Sequence, residues 1–123
     1  MDRQKFEYRL TSPIARRPDV SILDCSGEID LATRPDFEEA LRHALKAPSE
    51  RVIISLAAVS YIDSNGIHVL IRAIKSAAEE KKKIDVVAAG DSSVAKIFGV
   101  TGFGRVFNLY DSLAAALANG PAA

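Results

Sequence analysis

The feature that most constrains the fold is a short apolar run, residues 52–56, which lies between two stretches with helical periodicity. A continuous apolar run of this length is typical of a strand buried on both faces of a sheet. The stretch before it carries one apolar stripe, made of Phe37, Ala40, Leu41, Ala44 and Leu45. The stretch after it carries another, made of Ile67, Leu70, Ile71, Ile74 and Ala78. A buried strand between two one-sided helices predicts parallel strands joined by helical crossovers.

The rest of the chain extends this pattern in both directions. Alternation around Tyr8 predicts a half-buried first strand, and a second strand is expected over 20–25, stopping at Gly27. Further on we expect a strand over 84–89, a helix over about 92–100, a strand over 106–109 and a last helix capped by Asp111 or Ser112. The prediction is one α/β domain over 1–123, with an alanine-rich tail from about residue 119. Its sheet should be mixed, largely parallel and four- to five-stranded, with helices mainly on one face.

Composition removes several classes of function. The 16 basic and 16 acidic side chains give no net charge, so nothing draws the chain towards nucleic acid. No apolar run approaches the roughly 20 residues of a membrane helix, and we therefore expect no membrane insertion. Two histidines and the single Cys25 are widely spaced, which predicts neither a metal site nor a disulfide. With no cofactor motif either, we expect a cytoplasmic protein that works without cofactors.

The most informative polar stretch is residues 60–66, between the central strand and the following helix. Asp63 and Ser64 are both of types that cap helices, and capping alone would explain why they stand just before the helix. The same position also suits a modification site, because a phosphate is compatible with the positive end of a helix. Phosphorylation would add about −1.5 to −2 charges. In an interface that charge could cost several kcal/mol, whereas about 1.4 kcal/mol already changes affinity tenfold.

Three landmarks together resemble the STAS family of anti-sigma factor antagonists. Residues 63–67, Asp-Ser-Asn-Gly-Ile, follow two strand-like stretches in the way that the family signature does. Residues 27–30, Gly-Glu-Ile-Asp, with Thr33, resemble the family's turn after its second strand. Residues 94–98 and 101–103 resemble the helix and the glycine-aromatic turn before the last strand. The resemblance covers nearly the whole chain, in order and at similar spacing.

The resemblance implies a partner-switching function without enzymatic activity. Ser64 matches the serine that an anti-sigma kinase phosphorylates, and Asp63 matches the carboxylate before it. Gly66 matches the glycine at the helix start, and Asp30 matches an acidic residue on a neighbouring loop. In the family, the unphosphorylated form captures the anti-sigma factor, phosphorylation blocks capture, and a metal-dependent serine phosphatase restores it.

Two positions depart from the family pattern. Asn65 replaces the usual Ser or Thr, which leaves Ser64 as the hydroxyl of the motif, and His68 stands where Gly is frequent. A bulky side chain one turn beyond Ser64 predicts a different choice of partner. We expect a partner surface formed by Asp30, Asp63, Ser64, Asn65, Gly66, His68 and Arg72.

Two alternative functions are a serine hydrolase and a different binding function within the STAS family. Ser64, His68 and either Asp63 or Asp30 could form a hydrolase triad, but no Gly-x-Ser-x-Gly elbow is present. Stand-alone STAS proteins also serve as subunits of lipid-transport ATP-binding cassette complexes or as scaffolds of stress-sensing assemblies. The intact Asp63-Ser64 pair favours the phosphorylation switch over that alternative.

Overall fold

The computed structural model describes residues 5–12, 17–101 and 108–118. Its strands are β1 (Glu7–Thr11), β2 (Val20–Ile29), β3 (Arg51–Ile62), β4 (Lys83–Val87) and β5 (Asn108–Tyr110). Its helices are α1 (Arg34–Lys46), α2 (Ser64–Glu79), α3 (Ser93–Thr101) and α4 (Leu113–Ala118). The alanine-rich tail, the turn at 102–103 and the first half of the predicted last strand lie outside the described residues.

The strands form one mixed sheet in the order β1-β2-β3-β4-β5. β1 is antiparallel to β2, and the other neighbours are parallel. Because each right-handed crossover moves one strand further in the same direction, α1, α2 and α3 must all cover the same face. α4 follows the last strand and is free to cover the other face. The predicted α/β class and mixed sheet are therefore confirmed.

Two hydrophobic clusters occupy the two faces of the sheet. Leu23 and Ile54 pair side by side in the larger cluster, which lies under α1, α2 and α3. Their strand neighbours Ile22 and Ile53 point the opposite way and pack with Ala116 of α4. Among the described residues, the smaller cluster does not extend to the carboxyl ends of β2 and β3.

The second and third strands run further than the sequence predicts. β2 does not stop at Gly27 but passes through it, with a φ of 90° at the glycine and register shifts on both sides. A Cβ at Gly27 would collide with the Lys5 carbonyl oxygen, so a side chain is excluded. β3 continues to Ile62, and Ser60 and Tyr61 belong to it. Their polarity indicated a loop, yet Tyr61 pairs with Glu28 of β2, and the Ser60 hydroxyl donates to the Gly27 carbonyl at 3.3 Å.

The last two helices begin within about one residue of their predicted starts. Thr33 is the residue before α1, but its hydroxyl donates to the Glu28 carbonyl at 2.8 Å and makes no cap bond. Ser92 caps α3 instead of starting it, since its Oγ accepts from the Ala95 amide at 3.1 Å. Ser112 caps α4 in the same way, at 3.1 Å from the Ala115 amide. On α2, Ala78 is exposed and not part of the buried stripe.

Candidate functional site

The candidate site lies where β2 and β3 end side by side. Ile29 and Ile62 are paired across these parallel strands, and the Asp63 amide donates to the Ile29 carbonyl at 3.1 Å. Asp30 and Asp63 therefore leave the sheet from adjacent strands at the same edge. In open parallel sheets this carboxyl edge is where binding sites form, because the loops that follow the strands converge there.

Asp63 fixes the start of α2. Its backbone is extended, with φ −108° and ψ −175°, and its Oδ1 accepts from the amides of Asn65 at 2.9 Å and Gly66 at 3.3 Å. The Asn65 side-chain amide also donates to Asp63 Oδ2 at 3.4 Å. Two of the free amides at the helix start are thus bound by a carboxylate. Ser64 becomes the first helical residue, and its side chain is exposed.

Gly66 is required by close packing. A Cβ at this position would lie 2.6 Å from Ile29 Cγ2 and 2.7 Å from Ile62 Cγ1, well inside van der Waals contact. The glycine therefore lets the first turn of α2 rest directly on the ends of β2 and β3. Close approach of the helix to the two strand ends is thus the reason for a glycine at this position.

Asp30 differs from the exposed partner residue that the sequence predicts. Only 7% of it is exposed, and its Oδ1 accepts from the Thr33 amide at 3.1 Å and from the Thr33 hydroxyl at 3.3 Å. The Asp30 amide donates back to Thr33 Oγ1 at 3.0 Å. Asp30 thus shapes the loop before α1, and the large apolar residue that this loop exposes is Leu31, at 67%.

His68 and Arg72 are exposed on α2. With Ser64 they stand at intervals of four residues, which places all three along one line of the helix surface. Asn65 is half-buried and Gly66 is buried. The predicted partner residues thus divide into an exposed line of Ser64, His68 and Arg72 and a set that supports it.

Comparison with known proteins identifies the family. The family model described as STAS domain matches residues 12–116. This chain belongs to the STAS domain family. The "Anti-sigma-F factor antagonist RsfB" of Mycobacterium tuberculosis is 31% identical over 108 residues, 88% of this chain and 87% of that protein. The "Anti-sigma-B factor antagonist" of Staphylococcus aureus is 28% identical over 76 residues, 62% of this chain and 69% of that protein.

The fold of this STAS domain also matches solved structures. The crystal structure of an anti-sigma factor antagonist from Mycobacterium paratuberculosis superposes with a TM-score of 0.74 at 29% identity. The match covers 89% of this chain and 92% of that one. The resemblance inferred from three sequence landmarks is therefore confirmed at the level of family and fold.

Sequence reasoning missed two exposed apolar side chains of this STAS domain. Leu31 follows Asp30 directly, and Tyr61, which is 47% exposed, lies two residues before Asp63. Tyr61 pairs with Glu28 of β2, and its side chain is exposed, whereas its neighbour Ile62 belongs to the core. Large apolar side chains exposed beside a polar motif are typical of partner surfaces. An apolar residue in the loop after a strand was the only sequence signal for Leu31.

Other chemistry finds little support in the described parts of the chain. Of the two carboxylates that a hydrolase triad could use, Asp63 caps α2 and Asp30 accepts hydrogen bonds from Thr33. No group of His, Cys, Asp and Glu among the described residues could hold a metal ion. None of the helices within those residues is long and apolar enough to cross a membrane. Burial, with a smaller contribution from Asp24, raises the pKa of the Cys25 thiol to about 12, which keeps this core thiol protonated.

Proposed function

We propose that this protein is an anti-sigma factor antagonist controlled by phosphorylation of Ser64. It binds an anti-sigma kinase while Ser64 is unphosphorylated and releases it afterwards, and a metal-dependent serine phosphatase resets the switch. The observation that carries the proposal is the exposed Ser64 hydroxyl at the first position of α2, next to a carboxylate that already occupies the helix amides. The names of the M. tuberculosis and S. aureus relatives support the antagonist function over the transporter-subunit alternative.

The geometry around Asp63 supports a phosphate on Ser64 that faces solvent or a partner and is not bound by the helix amides. The sequence alone indicated that the helix end would accommodate the added charge, but Asp63 already binds the Asn65 and Gly66 amides. A phosphate of about −1.5 to −2 charges would find those donors taken and a carboxylate beside it. Its charge therefore stays directed at solvent or at a docked partner, where a desolvated like charge costs several kcal/mol.

The surface around Ser64 supplies what a protein partner needs. Leu31 and Tyr61 offer apolar contact area at the same edge of the sheet, and tyrosine is frequent among residues that dominate binding energy. His68 and Arg72 continue the surface along α2. We propose that Asp30, Asp63 and Gly66 hold this surface in shape, while Ser64, Leu31 and Tyr61 contact the partner.

The remaining parts of the proposal concern chemistry and location. The protein acts by binding and has no catalytic activity of its own. We propose that this protein acts in the cytoplasm. The unpaired Cys25 is compatible with that reducing compartment.

The test is a pull-down from the source cells with wild type, Ser64→Ala and Ser64→Asp in parallel. We expect the wild-type and alanine forms to retain a kinase-like regulator that the aspartate form releases. Ala78→Asp is the matched control, because it adds the same charge to an exposed position at the other end of α2. Retention of the same partner by both Ser64 variants would refute the switch, as would equal loss with the control.

A further inference from the structure

A groove of about 500 Å³ lies between α1 and α2, away from the residues that the family motif includes. Its floor is apolar, with Leu41 and Val69 nearly buried and Ala73 partly buried. Arg42 of α1 and Arg72 of α2, both exposed, stand on its two sides. A groove of this size with an apolar floor is large enough to hold several side chains of a ligand.

The charge around the groove favours an acidic occupant. Arg34 Nε lies 2.8 Å from Glu38 Oε1, and this hydrogen bond lowers the pKa of the Glu38 carboxyl, with smaller contributions from the charges of Arg72 and Arg42. Arg34 is therefore the direct partner of this carboxylate, and Arg42 and Arg72 add positive charge in its neighbourhood. Because Arg34 already pairs with that carboxylate, Arg42 and Arg72 are left with excess positive charge facing the groove.

The remaining charges of the groove do not reverse this balance. Lys46 and Glu80 line it as well, and their opposite signs cancel. No aromatic side chain lines the groove among the described residues, so it lacks the stacking platform that single-stranded nucleic acid uses. An apolar floor beside two arginines instead suits a peptide that carries both apolar and acidic side chains.

The groove is continuous with the surface around Ser64. Ser64, His68 and Arg72 follow one exposed line along α2, and the helix rises about 12 Å from Ser64 to Arg72. A partner that contacts Ser64 and extends along this helix reaches the groove within three turns. The groove therefore lies within the footprint of a partner of ordinary size.

We propose that the groove between α1 and α2 binds an acidic amphipathic segment of the same partner that contacts Ser64. Carboxylates of that segment pair with Arg42 and Arg72, and its apolar side chains pack on Leu41 and Val69. The inference rests on the proposed function, because the partner is the kinase that Ser64 controls. The groove would be a second contact with the partner, and phosphorylation of Ser64 would not alter its residues.

The test measures the affinity of the kinase recovered with the Ser64→Ala form for purified variants of this protein. We expect Arg42→Glu and Arg72→Glu each to weaken binding by about tenfold or more at 50 mM salt, because each places a like charge against the acidic segment. The loss should shrink at 300 mM salt, where charges are screened within about 6 Å. Lys75→Glu is the matched control, since it makes the same charge change at an exposed position of α2 outside the groove.

The outcomes separate the two proposals. Wild-type affinity in both groove variants, with release by Ser64→Asp intact, overturns the groove and leaves the switch. An equal loss with Lys75→Glu also overturns the groove, because the effect is then long-range charge. If the wild type binds no kinase, or binds it regardless of Ser64→Asp, both proposals fail. Arg72→Gln, which keeps the stem of the side chain, must give a smaller loss than Arg72→Glu in a folded protein, and no loss would count against the groove.

Discussion

Replacing Asp85 with alanine should destabilise the protein more than any change at its surface. Asp85 is fully buried in β4, and Arg51 at the start of β3 is only 2% exposed. Arg51 Nε and Nη2 each lie 2.6 Å from Asp85 Oδ2, and Nη2 also donates to the Ala116 carbonyl at 2.9 Å. Asn108 donates to the other carboxylate oxygen at 3.1 Å. The pair thus ties two strands to α4.

The expected loss follows from the charge that Asp85→Ala leaves behind. A guanidinium buried without its carboxylate costs about 3–5 kcal/mol. At about 0.05–0.15 kcal/mol per residue, a chain of 123 residues is stable by about 6–18 kcal/mol. The variant therefore loses a large part of its stability, and its melting temperature should fall by about 10–20 °C.

Urea unfolding followed by far-UV circular dichroism measures this loss directly. Lys83→Ala is the control, because Lys83 Nζ lies 4.0 Å from the same carboxylate oxygen but its side chain is 51% exposed, so its loss should stay below about 1 kcal/mol. Arg51→Met combined with Asp85→Leu should recover most of the stability, since no unpaired charge remains. A loss below about 1 kcal/mol for Asp85→Ala would show that the guanidinium is hydrated, and the argument would be wrong.

Three further predictions concern the site and the core. Gly66→Ala should cost about 1–3 kcal/mol in urea unfolding, because its Cβ would press on Ile62. It should also weaken partner binding, because the start of α2 must shift. Asp63→Ala should cost about 0.5–2 kcal/mol through loss of the helix cap, whereas Asp63→Asn, which keeps an acceptor oxygen, should cost less in the same assay. Burial raises the folded-state pKa of the Cys25 thiol to about 12, well above its usual range. Stability should therefore decline as pH rises from about 9 towards 12, by up to about 1.4 kcal/mol per pH unit, and a comparison of unfolding curves should show a smaller decline in Cys25→Ala.

Local patterns predicted the elements well because their causes are local. The cap at Asp63 depends on bonds to residues two and three positions ahead, so four letters of sequence suffice to predict it. The buried central strand was evident from its apolar run. The polar half of β3 was not, because register shifts against β2 interrupt the alternation of inward and outward side chains. Only the pairing itself shows that Ser60 and Tyr61 belong to the sheet.

Tertiary features could not be predicted from one sequence for the opposite reason. Arg51 and Asp85 are 34 positions apart, and each alone resembles a charge at the border of an apolar strand. Parallel pairing of β3 with β4 brings them together, and α4 then buries them. The exposure of Leu31 likewise depends on how the Asp30 loop is folded. Such positions are decided by neighbours that are distant in the chain.

The Arg51–Asp85 pair, which stabilises the fold, lies far from Ser64, the proposed switch. Arg51 begins β3 and Ser64 follows its end, so 12 strand residues at about 3.3 Å each can separate the start of this strand from the switch by up to about 40 Å. That distance is several times the screening length of about 8 Å at physiological salt. Because the charge is exposed and remote from the buried pair, Ser64→Asp should change unfolding stability by no more than about 0.5 kcal/mol. The same variant should release the partner. If it instead unfolded the protein, loss of binding would report loss of structure, and the surface charge would not be the signal.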